Sequence, residues 1–184
     1  MIDQIISLLL DVATGLIGGA CLLRMYMQQQ RVPFGNPLGQ LVFAFTNWLV
    51  LPLRRLLPTA GSVDLASLMA ALLLQLAQVG LLWLLAGAQG SAAVVPVLAL
   101  FGLARLILSG LTGLIIVYAV LSWVQTRSPL VDLVGRLCGP PLRPVRRVIP
   151  LVGGMDLSPL ALLVLLQVLA IVLSSAQAAV LRML

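Results

Sequence analysis

Histidine, lysine and glutamate are all missing from this 184-residue chain. Without histidine it loses the commonest general base and the commonest metal ligand. Its five acidic residues are all Asp and its eleven basic residues all Arg, so charged residues make up only 9% of the sequence. The two thiols, Cys21 and Cys138, lie far apart and show no CxxC spacing. That argues against a zinc site or a structural disulfide and predicts two free, buried cysteines. No nucleophile stands beside a recognisable base. The chain is therefore read as non-enzymatic, with no catalytic, cofactor-binding or metal-binding residues. A cleavable signal opens on a positive region, whereas Asp3 and Asp11 precede the first base, Arg24. The first apolar stretch is accordingly expected to persist as a helix.

Apolar sequence stands where charge is missing. Hydrophobic residues make up 61% of the chain and mean hydropathy is +1.16, a composition that lipid solvates and water does not. Four stretches reach the roughly 20 residues a span requires: Ile5–Leu23, Leu65–Ala86, Pro96–Leu121 and Leu160–Val180. The expected fold class is an all-α membrane protein with four transmembrane helices. Nine of the eleven arginines gather in two places: Arg24, Arg31, Arg54 and Arg55 after the first span, and Arg127, Arg136, Arg143, Arg146 and Arg147 after the third. The middle loop, Gly87-Ala88-Gln89-Gly90-Ser91, carries no charge. Basic short loops favour the cytoplasmic side, so the Arg-rich loops are expected inside, with the middle loop and both termini outside. Arg105, inside a span, and Arg182, in the tail, are the exceptions.

Shifting the chain by 92 residues aligns it with itself without a gap. Tyr26 falls on Tyr118, Pro37 on Pro129, Pro52 on Pro144, Arg54-Arg55 on Arg146-Arg147, Pro58 on Pro150, Gly61 on Gly153, Asp64-Leu65 on Asp156-Leu157 and Gln75 on Gln167. Duplication is the reading, with repeats 1–92 and 93–184. Each half holds two spans, so the halves enter the membrane in the same direction, as hairpins related by a pseudo-twofold axis along its normal. In the loop of each half, Leu38, Leu41, Val42, Phe45, Trp48 and Leu49, and again Leu130, Leu133, Val134 and Leu137, recur at helical spacing. Short amphipathic helices over Leu38–Leu49 and Leu130–Leu137, lying in the interface, are expected. Pro37 and Pro129 suit their first turns. The segments Pro52–Pro58 and Pro144–Pro150 are expected to end them.

The doubled pattern of an aromatic residue, Asn/Ser-Pro, Pro-x-Arg-Arg-x-x-Pro, Gly and Asp-Leu resembles the YggT family of small bacterial membrane proteins, and it covers nearly the whole chain. The resemblance implies a multi-pass protein of the bacterial inner membrane. It further implies a part in assembling membrane complexes or in osmotic and ion stress tolerance. Plastid relatives of that family are linked to chloroplast cytochrome assembly and nucleoid distribution. With no imidazole to ligate haem, an assembly role here would be that of a scaffold.

Several residues carry the functional reading. Asp64 and Asp156 stand ahead of the second and fourth spans, where each can cap a helix or pair with the Arg pair of its own loop. Arg54, Arg55, Arg146 and Arg147 serve either as topology determinants or, held between prolines, as binders of anionic headgroups or protein partners. Asp11 and Arg105 lie 15 and 13 residues before the matched tyrosines, a depth difference of ~3 Å. They are expected to pair across the repeat interface or to snorkel separately. Gln75 and Gln167, near mid-bilayer, suit interhelical hydrogen bonding or the lining of a solute path. Gly15 and Gly19 give a small-xxx-small spacing that permits close helix approach. The net charge of +6 is split between two loops with no stacking platform, so no nucleic-acid partner is expected. The leading expectation is a membrane-organising or assembly factor acting through its Arg-bearing cytoplasmic face, with lipids, other membrane proteins or its own copies as partners. The alternative is a channel or transporter.

Overall fold

In the computed structural model the described residues are 2–57, 63–88, 91–124, 129–148 and 156–183. Gln89, Gly90, Arg127 and the Pro58, Pro150, Gly61 and Gly153 of the matched motifs lie outside them. Six helices follow one another: α1 (Ile2–Gln29), α2 (Pro37–Leu56), α3 (Leu65–Leu85), α4 (Val94–Val124), α5 (Pro129–Val148) and α6 (Ser158–Leu181). Four of them, α1, α3, α4 and α6, are long and apolar enough to cross a membrane. Both bounds of α5 lie 92 residues after those of α2.

Local sequence explains most boundaries. Asn36 caps α2 by accepting from the Gly39 N–H at 2.8 Å, with Pro37 in the first turn. Helix α1 ends on paired backbone bonds, Val32 N–H to the Met27 carbonyl at 2.9 Å and Arg31 N–H to that of Gln28 at 3.0 Å. Arg31 closes this motif at φ 52, a left-handed position usually given to glycine.

Helices α2 and α5 end at Leu56 and Val148, inside the two proline segments, but both run past the expected Leu49 and Leu137 and through prolines on the way. Helix α2 runs through Pro52, and α5 runs through Pro140, Pro141 and Pro144. An internal proline removes one bond and costs about 3 kcal/mol, but packing beyond it compensates. Leu142, just after the proline pair, is 1% exposed. Both helices therefore continue for 20 residues and bring Arg54 and Arg146 to their last turns, where a cation complements the helix dipole.

The chain divides into two compact units, Met1–Ile107 with Leu173–Leu184, and Leu108–Val172. The division falls within α4 and α6. It does not coincide with the division at residue 92 expected from the sequence. In the first unit α1 packs on α2 and α3, and α2 on α3, around buried Cys21, Leu22, Val50, Ala66, Ala70 and Ala71. The second unit's buried cluster is Ile115, Val134, Cys138, Leu142, Leu162 and Leu166. Most apolar surface on the spans faces outward; only 6% of the most apolar stretch of α4 is buried.

Candidate functional site

Three helices of the first unit meet at a buried polar junction. Near the end of α1, Arg24 is 2% exposed. Its Nη1 donates to Thr46 Oγ1 and Asn47 Oδ1, both at 2.8 Å. Its guanidinium lies 4.7 Å from the Phe43 ring centroid, and Phe43 stacks in turn on Phe34. Thr46, itself fully buried, donates its hydroxyl hydrogen bond to the Val42 carbonyl at 2.6 Å. From the last turn of α2, Arg54 Nη2 donates to Gln28 Oε1 at 2.9 Å and to Asp64 Oδ2 at 2.5 Å.

Asp64 has no exposed surface and joins the helices. It is the N-cap of α3, accepting from the Ser67 N–H and, at 2.8 Å, from the Ser67 hydroxyl. Arg24 Nε lies 4.0 Å from the same carboxylate. Burial pushes the Asp64 pKa up, but the hydrogen bonds from Arg54 and Ser67 and the Arg54 charge outweigh it and hold the carboxyl below its ordinary value. Two guanidiniums thus face one carboxylate. The Nε atoms of Arg24 and Arg54 are buried without a hydrogen-bond acceptor.

The second unit has a simpler junction. Arg146 Nε donates to Asp156 Oδ2 at 2.9 Å, and Nη2, 2.8 Å from the same oxygen, donates to the Tyr118 hydroxyl at 2.9 Å. Arg146 is 43% and Asp156 27% exposed. Burial disfavours charge on both groups. For Asp156 it is outweighed by hydrogen bonds from Ser158 and Arg146, so its pKa lies low; for Arg146 it is outweighed by Asp156 and Tyr118, so its pKa lies high. Asp156 Oδ1 accepts from the N–H of Ser158, the first residue of α6, at 3.0 Å. Asp156 thus stands one residue further out than the usual cap position. Pro159, without an N–H, removes a donor that a cap would normally use.

The structure separates the predicted arginine pairs into different tasks. Arg54 and Arg146 are committed to aspartates, whereas Arg55 and Arg147 are exposed and form no ion pair among the described residues.

The pairing expected between Asp11 and Arg105 requires correction. Asp11 accepts from Gln78 Nε2, and Arg105 donates to Gln177 Oε1 at 2.7 Å. Helices α1 and α4 touch where Gly18 meets Leu106: a Cβ added at Gly18 would stand 2.8 Å from Leu106 Cδ2. Asp11 lies seven residues before Gly18 and Arg105 one before Leu106, which offsets the two by about 9 Å along the helices. The glutamines also differ. Gln75 is buried against α4, where a Cβ on Gly102 would run into its Oε1, whereas Gln167 is exposed.

Sequence reasoning missed Arg24, Thr46, Asn47, Gln28 and Ser67. The sequence set Arg24 just after the first span, whereas the structure places it inside α1.

What the junctions do chemically is hold helices together. Cys138, in the second unit, is fully buried and its Sγ lies 3.6 Å from the Leu114 carbonyl. Burial, opposed by the Arg146 charge, pushes its pKa up to about 12, so it stays a protonated thiol. Among the described residues no three His, Cys, Asp or Glu side chains converge as a metal site would need.

The family model described as CCB3/YggT matches residues 3–85 and 97–177. The chain is 36% identical over 170 residues to the Escherichia coli (strain K12) protein named "Uncharacterized protein YggT", covering 89% of this chain and 86% of that one. It is 37% identical over 150 residues to a Vibrio alginolyticus protein named for the proC 3′ region, covering 79% and 80% of the two chains. A Pseudomonas aeruginosa protein is 36% identical over 143 residues, covering 76% and 73%. No solved structure matches the chain.

Proposed function

The chain belongs to the CCB3/YggT family, and from that premise we propose that it is a non-enzymatic organiser of the bacterial inner membrane, holding two arginine-bearing helices against anionic lipid on the cytoplasmic side. The observation that carries this reading is the division of labour within each arginine pair. Arg54 and Arg146 anchor the ends of α2 and α5 to Asp64 and Asp156. Their neighbours Arg55 and Arg147, carried on the same anchored helix ends, stay exposed. A pure topology signal needs charge alone; a headgroup site needs charge in a fixed position.

On this reading α2 and α5 lie in the interface rather than across the bilayer. Helix α5 supports this, with buried Leu133, Val134, Leu137, Cys138 and Leu142 on one side and exposed Asp132, Arg136 and Arg143 elsewhere. The two family-model segments and the common 92-residue offset of α2 and α5 support an internal duplication. The Arg-rich loops would be cytoplasmic and the segment around Ser91 outside.

Each basic residue near an anionic surface contributes about 1 kcal/mol. The chain with Arg55→Gln and Arg147→Gln, placed in nanodiscs of mixed phosphatidylglycerol and phosphatidylcholine, should therefore lose most of its enrichment of phosphatidylglycerol while keeping its helical content. Undiminished enrichment would remove the headgroup role. Crosslinking in native membranes should then identify the proteins held at that face, and a thiol reagent applied from outside should label Ser91→Cys.

A further inference from the structure

Two charged side chains are exposed within spans of the first unit, Asp11 on α1 and Arg105 on α4. Among the described residues each has one neutral amide partner. Gln78 engages one carboxylate oxygen and Gln177 one guanidinium nitrogen. The second oxygen and the remaining N–H groups still require partners, and hydrocarbon offers none.

The residues that follow the two charges match. Gly15 and Gly19 come four and eight positions after Asp11; Ser109 and Gly113 come four and eight after Arg105. Four-residue steps keep each set on one face of its helix. A Cβ added at Gly15, Gly19 or Gly113 would meet nothing within 4 Å, unlike one at Gly18. The first and third of four successive spans run the same way through the membrane. Laid side by side in that direction, the two stripes bring Asp11 to Arg105, Gly15 to Ser109 and Gly19 to Gly113. Within one molecule this register is unavailable, because the Gly18–Leu106 contact sets another.

We propose that the α1 stripe of one copy docks on the α4 stripe of a second copy of this chain, and reciprocally, about a twofold axis along the membrane normal. The occupant is a second copy because this chain carries both halves of the match, opposite charges followed by small residues at the same spacing. The contact is self-complementary, as a twofold dimer requires. Small residues let the backbones approach, and the ion pair supplies each intramembrane charge with its counter-charge.

The experiment uses the full chain in lipid bilayers with two fluorescent labels, reading dimerisation by energy transfer. Asp11→Arg alone should raise the dimer dissociation constant by about tenfold or more, and Arg105→Asp alone likewise. Mixing those two variants should restore association, since each contact then joins opposite charges. Circular dichroism checks that each variant is folded. Should a variant fail to fold, crosslinking in the native charge background decides, with Cys21 and Cys138 replaced by alanine. A Gly19→Cys copy should then oxidise to a Gly113→Cys copy and not to another Gly19→Cys copy. A monomeric native chain, a mixture no better than the single variants, or equal crosslinking of like copies would each overturn the proposal.

Discussion

The two arginine–aspartate junctions share one design and differ in dryness. Each joins a guanidinium at the end of a 20-residue helix to a carboxylate at the start of a span. At the first, Asp64 has no exposed surface; at the second, Asp156 is 27% exposed. The positions 92 residues apart explain the contrast. Ile116 stands where the first half has Arg24, Val120 where it has Gln28, Gly135 where it has Phe43, Cys138 where it has Thr46, and Pro159 where it has Ser67. Every polar group that surrounds the first ion pair has an apolar, small or weakly polar counterpart at the second. A buried charge requires a full set of partners, whereas a half-exposed pair leaves part of that task to solvent and headgroups. The ion pair itself is kept at both places, and the residues around it decide how much energy it carries.

The largest expected effect follows from removing the dry carboxylate. Asp64→Asn leaves Arg24 and Arg54 facing each other with no counter-charge. Losing one partner of a buried pair costs about 3–5 kcal/mol, and the lower end applies because Arg54 is 34% exposed. Thermal unfolding in detergent should show the loss. A pH series adds a signed test. Both aspartates have pKa values below the ordinary one, which is about 3.9. Their contribution is thus fully present above that value and is lost as pH falls through the lower folded values. Stability should hold from neutral pH down to about 5 and fall below about 4, and Asp64→Asn should flatten that acid limb more than Asp156→Asn does.

Next in size comes Arg24→Met, which keeps side-chain length but strands Thr46 and Asn47 without their donor. Leaving buried polar groups unsatisfied costs about 1–3 kcal/mol. The same change removes the surplus buried cation, so the two substitutions should not add. Asp64→Asn should cost less in the Arg24→Met background than in the native chain. Simple additivity would mean that Arg24, 4.0 Å from Asp64, has no electrostatic share in the junction.

Much of this was legible in the sequence, and the limits have physical causes. Span length and apolarity gave the four long helices, because lipid tolerates little else. The 92-residue offset located the second junction once the first was seen. The proline segments located the helix ends, but the bound at Leu137 was too short, since Leu142 and Arg146 gain packing and an ion pair by continuing through Pro140, Pro141 and Pro144. The intramembrane pair misled because equal depth does not set register. In the fold each charge bonds a glutamine instead, Asp11 with Gln78 and Arg105 with Gln177. Arg24 and its acceptors were hard to see because they recur nowhere in the second half, and a search by repetition passes over whatever is unique to one copy.

A smaller effect is expected at the exposed junction. Asp156→Asn breaks a pair whose members are 27% and 43% exposed, so it should cost no more than about 1 kcal/mol. Added salt should shrink that difference further. If Asp156→Asn destabilised as much as Asp64→Asn, dryness would not be what separates the two sites.

A contrast between two substitutions sharpens the comparison at Thr46 and Cys138, which are both fully buried at matching positions. Thr46 accepts from Arg24 and donates its own hydrogen bond to the Val42 carbonyl four residues back. Cysteine there would keep much of the volume but accept poorly, so Thr46→Cys should cost about 1–2 kcal/mol. In the second unit Ile116 replaces the arginine, and among the described residues Cys138 bonds the Leu114 carbonyl while Arg146 bonds Asp156 and Tyr118. A threonine hydroxyl at that position can bond the Val134 carbonyl as Thr46 bonds that of Val42. Cys138→Thr should therefore change stability by less than about 1 kcal/mol, mostly through packing. Maleimide labelling gives the matching readout: the thiol, its pKa pushed up to about 12 by burial, should label at pH 8 only after unfolding. Equal costs for the two substitutions would show that the hydroxyl of Thr46 serves packing rather than Arg24.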